Sequence, residues 1–318
     1  MINRRYLRTK VMQAVFAHQF LPEETIQQGE KKLLTSLEQF YTLYSYLLTF
    51  LPALKQFNAK KMDKQKRKFF PSKENLNPNT KFVENAVILQ LENNIQLNAP
   101  KEKNDWLWKE QGNLFANMMQ DLYQQDFMIK YMNNPERSYT EDKKFVLRLI
   151  REYLVENTLL HWFLGERNVH WSDDFNDAFL AYYKTIEVFK PTQDETYPIS
   201  KSLQTETKAE DLNFCLDLYR KTLINTTFYD TLIEERLKHW EHDRTILMDK
   251  ILMRMAICEF LNFPSIPIKV TLNEYIELSK YYSSPKSNLF INGVLDKILV
   301  DLKEQQLIIK TGRGLKIS

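Results

Sequence analysis

"IPIKVTLNEYIELSKYYSSPKSNLFINGVLDKI" occupies residues 266–298, and its division into elements decides the class of fold. Leu272, Tyr275, Ile276 and Ser279 fall on one stripe at helical spacing, and Phe290, Ile291, Val294, Leu295 and Ile298 form a second. The pattern predicts helices over residues 269–282 and 285–303. Ser284 followed by Pro285 reads as the N-cap and first position of the second helix, exposing backbone N–H groups beside Lys286, Ser287 and Asn288. Such a cluster suits a phosphate, although an ordinary capped helix start has the same sequence. Gly293 stands in mid-helix at a cost of about 1 kcal/mol relative to alanine. Close approach of a neighbouring helix is the reason expected for it.

Working outward, "ILMDKILMRMAICEFL" (residues 246–261) carries apolar side chains around most of its circumference, which predicts a central, nearly buried helix. With a further candidate at 211–238, residues 211–302 read as a compact helical bundle. At the other end, "NRRYLRTKVMQAVFAHQF" (residues 3–20) aligns Leu7, Val11, Ala14, Val15 and His18 on one stripe, with Arg4, Arg5, Arg8 and Lys10 near its start. Cations there oppose the helix dipole, so an outside anion explains them better than helix stability does. A helix over 31–51 is expected to stop at Pro52. Residues 55–80 are read as a mobile, solvated basic loop, with RNA contact the second reading. Helices are placed at 81–97, 105–132, 140–164 and 173–189, followed by a polar linker from Pro191 to about residue 210.

Composition agrees with an all-α class: of 318 residues 43% are hydrophobic, and there are only 6 glycines and 11 prolines. No apolar run approaches the roughly 20 residues that cross a bilayer, so the expected location is cytoplasmic. Cys215 and Cys258 read as two buried thiols. Residues 1–73 hold 14 Lys+Arg against 5 Asp+Glu, whereas the remainder is net acidic; this asymmetry fits a polyanion-facing front or a solvated basic loop. The glycines form neither a phosphate loop nor a dinucleotide fingerprint, so no nucleotide cofactor and no nucleotide-dependent enzyme are expected. His161, Glu166, His170 and Asp174 lie close in sequence but match no metal-ligand spacing, and no metal is expected.

Three stretches, "RRYLRTKVMQAVF", "DRTILMDKILMRMAICEFL" and the opening one, together resemble the NusB family of bacterial transcription antitermination factors. The IPxKVxxNExIELxK and FxNGxLDK runs are the most specific part. The resemblance implies an all-α fold of two three-helix bundles, here with inserted helices. It also implies binding of boxA-type RNA together with NusE, the small-subunit ribosomal protein that serves in transcription complexes, and no catalysis. It assigns Arg4, Arg5, Arg8, Lys10, Lys286, Ser287 and Phe290 to RNA, and Phe16 and Asp249 to NusE. Leu252, Arg254, Ala256 and Glu259 become scaffold. Asp249 is expected to be exposed. The implied organisation is residues 1–210 as an N-terminal helical part with insertion and basic loop, 211–303 as the NusB-like bundle, and 304–318 as a tail. The competing readings are a protein-binding helical scaffold and a recognition module related to RNA cytosine methyltransferases.

Overall fold

The computed structural model describes residues 4–98, 108–199, 205–237 and 246–315, and among these every regular element is helical. In chain order they are α1 (Arg4–Gln19), α2 (Ile26–Lys66), α3 (Lys73–Leu76), α4 (Ala86–Asn93), α5 (Ile95–Asn98), α6 (Gly112–Leu122), α7 (Asp126–Asn133), α8 (Tyr139–Leu149), α9 (Thr158–Arg167), α10 (Phe175–Glu187), α11 (Thr205–Ile224), α12 (Thr226–Leu237), α13 (Leu247–Asn262), α14 (Ile268–Tyr282) and α15 (Ser287–Glu304). A π-helical turn, Ile150–Leu154, continues α8. The chain forms two compact units, one of Glu38–Thr207 and one joining Ile2–Leu37 to Lys208–Ser318.

In the second of these units α13 is the centre. Ten consecutive residues, Ile251 to Phe260, are buried, and α1, α12, α14 and α15 all pack against this helix. Each fully buried Leu, Ile or Phe contributes about 1.5–3 kcal/mol, so an all-round apolar helix is stable only when covered on every side. Arg254 is buried on α13 and donates to Asp230 on α12 through Nε (2.6 Å) and Nη2 (2.7 Å). The C-terminal end of α13 is closed by Lys310, whose Nζ donates to the carbonyls of Glu259 (3.3 Å) and Phe263 (3.0 Å) and so satisfies groups a helix leaves open.

The unit of Glu38–Thr207 is built on the apolar stretch of α2, where Leu47, Leu48, Phe50, Leu51 and Leu54 are fully buried. A polar knot sets the entry to α4. The side chain of Asn85 accepts from the amides of Val87 and Ile88, and buried Asp142 accepts from Ala86 N (2.7 Å) and Tyr131 Oη (2.7 Å). Tyr131 stacks on Phe145 at 3.8 Å, and burial, together with its bond to Asp142, holds its phenol well above the usual range. Residues after α10 are pinned rather than free: Gln90 Nε2 donates to the carbonyls of Lys190 and Gln193, and Asn94 Nδ2 to that of Tyr197.

Four sequence expectations are corrected here. The second helix begins at Ile26 rather than 31, because Thr25 and Gln28 form a capping box, Gln28 Oε1 accepting from Thr25 N (2.9 Å) and Thr25 Oγ1 from Gln28 N (3.3 Å). It does not stop at Pro52. The proline lies inside α2, where burial of the flanking leucines and Phe50 outweighs a helix-interior cost of about 3 kcal/mol. The expected basic loop is consequently helical as far as Lys66, with Lys64 and Lys66 in the last turn, where cations complement the dipole. Finally α15 starts at Ser287, two residues after Pro285, and its N-cap Lys286 makes no side-chain cap.

Gly293 also departs from expectation. A Cβ built there meets nothing within 4 Å, so no helix approaches it closely. The close approach is at Gly29 instead, where a Cβ would lie 1.8 Å from Tyr219 Oη and 2.8 Å from its Cζ. Tyr219 is fully buried and edge-on to His18, so its ring has little room to retreat. The two glycines therefore separate in sign under chemical denaturation. Gly293→Ala is expected to gain about 0.5–1 kcal/mol of stability, and Gly29→Ala to lose about 1–3 kcal/mol. Equal effects would show that neither local environment governs them.

Candidate nucleic-acid interface

The arginines of α1 divide between surface and interior. Arg4 is exposed, and its guanidinium lies 5.2 Å from the centroid of the Phe214 ring. Arg5 is part-exposed and forks onto Glu274 of α14, Nε to Oε2 and Nη2 to Oε1, both at 3.0 Å. That hydrogen bonding raises its pKa, with Glu277 and Tyr281 further along α14 adding to the effect. Arg8 is turned inward. It is 1% exposed and donates to Glu259, itself 0% exposed, through Nε (2.9 Å) and Nη2 (2.6 Å), while Nη1 lies 3.8 Å from Glu274. Burial alone would pull the guanidinium pKa down, but the adjacent Glu259 charge and its hydrogen bonds hold it above the ordinary value.

Glu259 also accepts from Thr271 Oγ1 (2.7 Å) and Tyr275 Oη (3.2 Å). The carboxylate thus has four donors from three other positions on α1 and α14, which is what a buried charge requires. The expectation that Arg8 faces outward is corrected for this reason: its charge is already committed inside. Lys10 is likewise buried, with Nζ 5.5 Å from the Tyr6 ring centroid.

A second cluster sets the turn between α14 and α15. Asp249, in the first turn of α13, is 2% exposed and accepts from Ser283 Oγ (2.5 Å) and Ser287 Oγ (2.9 Å). Ser287 Oγ in turn lies 3.0 Å from Ser283 Oγ and 2.8 Å from Ser284 Oγ. Asp249 is therefore not the exposed acid expected from the sequence; two serines 34 and 38 residues away enclose it. Ser287 is buried with it, Lys286 projects from the same turn into solvent, and Phe290 is half-buried one helical turn on. Tyr281, not singled out in the sequence, flanks this turn at 73% exposure; the Tyr-Tyr doublet at a helix's polar edge was its only signal.

Phe16 is half-buried and packs at 5.0 Å against Phe20, whose ring is largely exposed. Phe20, Leu21, Pro22, Glu24, Gln28 and Lys32 are among the residues lining a hollow of 370 Å³ beside it. Leu252, Arg254, Ala256 and Glu259 are all buried. Cys215 and Cys258 are buried free thiols, and burial pushes the Cys258 thiol up to about 11. Among the described residues no group of His, Cys, Asp and Glu is arranged to hold a metal ion. His161 instead stacks on Phe179 at 5.5 Å, and desolvation lowers its pKa.

Comparison with known proteins places this arrangement. The NusB family model matches residues 176–300. A transcription antitermination protein NusB from Koribacter versatilis is 35% identical over 106 residues, covering 33% of this chain and 70% of the relative. The chain belongs to the NusB family. Proteins of the same description from Salinibacter ruber and Chloroherpeton thalassium are 45% identical over 103 residues and 38% identical over 117. These alignments cover 32% and 37% of this chain, but only 64% and 54% of the NusB relatives. No solved structure matches the chain significantly.

Breaking the buried pair from one side should be costly. Glu259→Ala is expected to lower the unfolding free energy by about 3–5 kcal/mol, and adding Arg8→Met should restore much of it by removing the stranded charge. Urea denaturation of the single and double variants measures the coupling; a double variant no more stable than Glu259→Ala would mean the pair is not an energetic unit. Asp249→Lys places a cation among buried serine hydroxyls and is expected to lower the melting temperature, an effect visible by circular dichroism.

Proposed function

We propose that the chain is an RNA-binding transcription antitermination factor that acts with NusE on boxA-type RNA, in rRNA transcription, and that it works by binding rather than catalysis. The observation that carries this reading is the 45% identity over 103 residues to a relative described as a transcription antitermination protein. The geometry supports it by leaving Arg4 and Lys286 available for phosphates, with Phe290 and Tyr281 as rings near the turn, while Arg5 is already forked onto Glu274. Arg8, Lys10, Ser287 and Asp249 act beneath that surface, holding α1 and the α14–α15 turn in place. Phe16, with Phe20 and the hollow beside them, is the NusE-facing candidate. The NusB-like part comprises α1 with the matched residues 176–300, and much of residues 38–175 is insertion.

Fluorescence anisotropy with boxA-type RNA, with and without NusE, tests the proposal. Binding is expected to tighten with NusE, and Arg4→Ala with Lys286→Ala is expected to weaken it and to flatten its salt dependence by about 0.7 per phosphate released. No RNA binding under either condition would sink the proposal. A protein-only scaffold is the second reading, favoured by the burial of Arg8, Lys10 and Ser287. It predicts NusE binding without any salt-dependent RNA affinity.

A further inference from the structure

We propose that the C-terminal end of α2 and the turn after it form a site for single-stranded nucleic acid that reads backbone and base faces without sequence preference. Phe69 and Phe70 are 92% and 86% exposed, an unusual disposition for two adjacent apolar rings. Their centroids are 4.9 Å apart at 85°, an edge-to-face pair that leaves ring faces open to solvent. Around them Lys60, Lys61, Lys64, Lys66, Arg67 and Lys68 are all exposed, and among the described residues none of these cations lies in an ion pair. Between residues 60 and 73 the sole acid is Asp63.

A simpler account assigns the cations to the helix dipole. It covers Lys64 and Lys66 in the last turn of α2, but neither Arg67 and Lys68 beyond the helix nor the two rings. Aromatic faces set among unpaired cations match the chemistry of single strands, whose phosphates meet the charges and whose unstacked bases meet the rings. A duplex offers no open base faces. An anionic membrane fits less well, because a helix lying in a bilayer interface needs a continuous apolar face. From residue 59 to residue 68 the apolar side chains are only Ala59 and Met62. The site does not rest on the NusB reading, since it lies outside the matched residues 176–300.

The test uses the full chain carrying Arg4→Ala and Lys286→Ala, so that boxA recognition is separated from it, and a labelled homopolymeric uridylate RNA. Phe69→Ala with Phe70→Ala is expected to weaken binding about 10- to 100-fold. Lys64→Ala, Arg67→Ala and Lys68→Ala together are expected to lower the salt slope by about 0.7 for each phosphate that is no longer neutralised. Because all five side chains are exposed, helical content and melting temperature should not move. Unchanged affinity in both sets of variants overturns the proposal, as does equal affinity for duplex RNA. Sedimentation with phosphatidylcholine–phosphatidylserine vesicles supplies the remaining arm: loss of vesicle binding in the phenylalanine variant, with RNA affinity intact, makes this a membrane-binding surface and overturns it too.

Discussion

The charge pair between Arg8 and Glu259 is the constraint on which the rest of the unit joining Ile2–Leu37 to Lys208–Ser318 depends. Taking both ions out of water is expensive, and the pair persists because nearly every polar atom of it is matched. Glu259 receives two guanidinium donors and two hydroxyls, and the third guanidinium nitrogen faces Glu274. Those partners sit on α1, α13 and α14, so one buried carboxylate fixes the rotation of α1 about its own axis. With Arg8 turned inward, Arg4 lies on the same side over Phe214, and Arg5 is carried round to the flank of α14. What is available to a ligand on this helix is thus the remainder after the interior has taken what it needs.

The charge imbalance of the front of the chain accordingly has two unlike components. On α1 the cations are partly neutralised by Glu259 and Glu274, acids supplied from more than 250 positions later. At the end of α2 the cations face solvent. Summing charges over the first 73 residues merges these, and only the ion-pair geometry tells a structural arginine from an available one. The same reasoning applies to Asp249, whose carboxylate works as the anchor of a serine-lined turn.

How far the fold was legible depended on whether the deciding atoms were near in sequence. The all-round apolar pattern of residues 246–261 identified the central helix because nothing but complete cover stabilises such a surface. The start of α2 is legible in Thr25 and Gln28, although the apolar stripe of the helix begins later. Pro52 misled because the burial that outweighs it comes from packing, which a local rule does not contain. Asp249 and Arg8 could not be placed from their own helices, since the donors and acceptors that enclose them lie elsewhere in the chain. Gly293 shows the converse: a residue type that often marks close packing stands here in open space.

The separation between Arg8 and Glu259, 251 positions, carries a consequence for how the molecule is made. Lengthening a connection is thermodynamically cheap, about 0.6 kcal/mol for each doubling, and even so long a separation therefore adds little to the cost of forming the pair. Time is affected far more than energy. At about 5–20 residues per second, roughly 12–50 s pass between the synthesis of Arg8 and that of Glu259. Throughout that interval neither Glu259 nor Glu274 exists for α1 to pair with, so Arg5 and Arg8 lack the carboxylates that hold them in the folded protein.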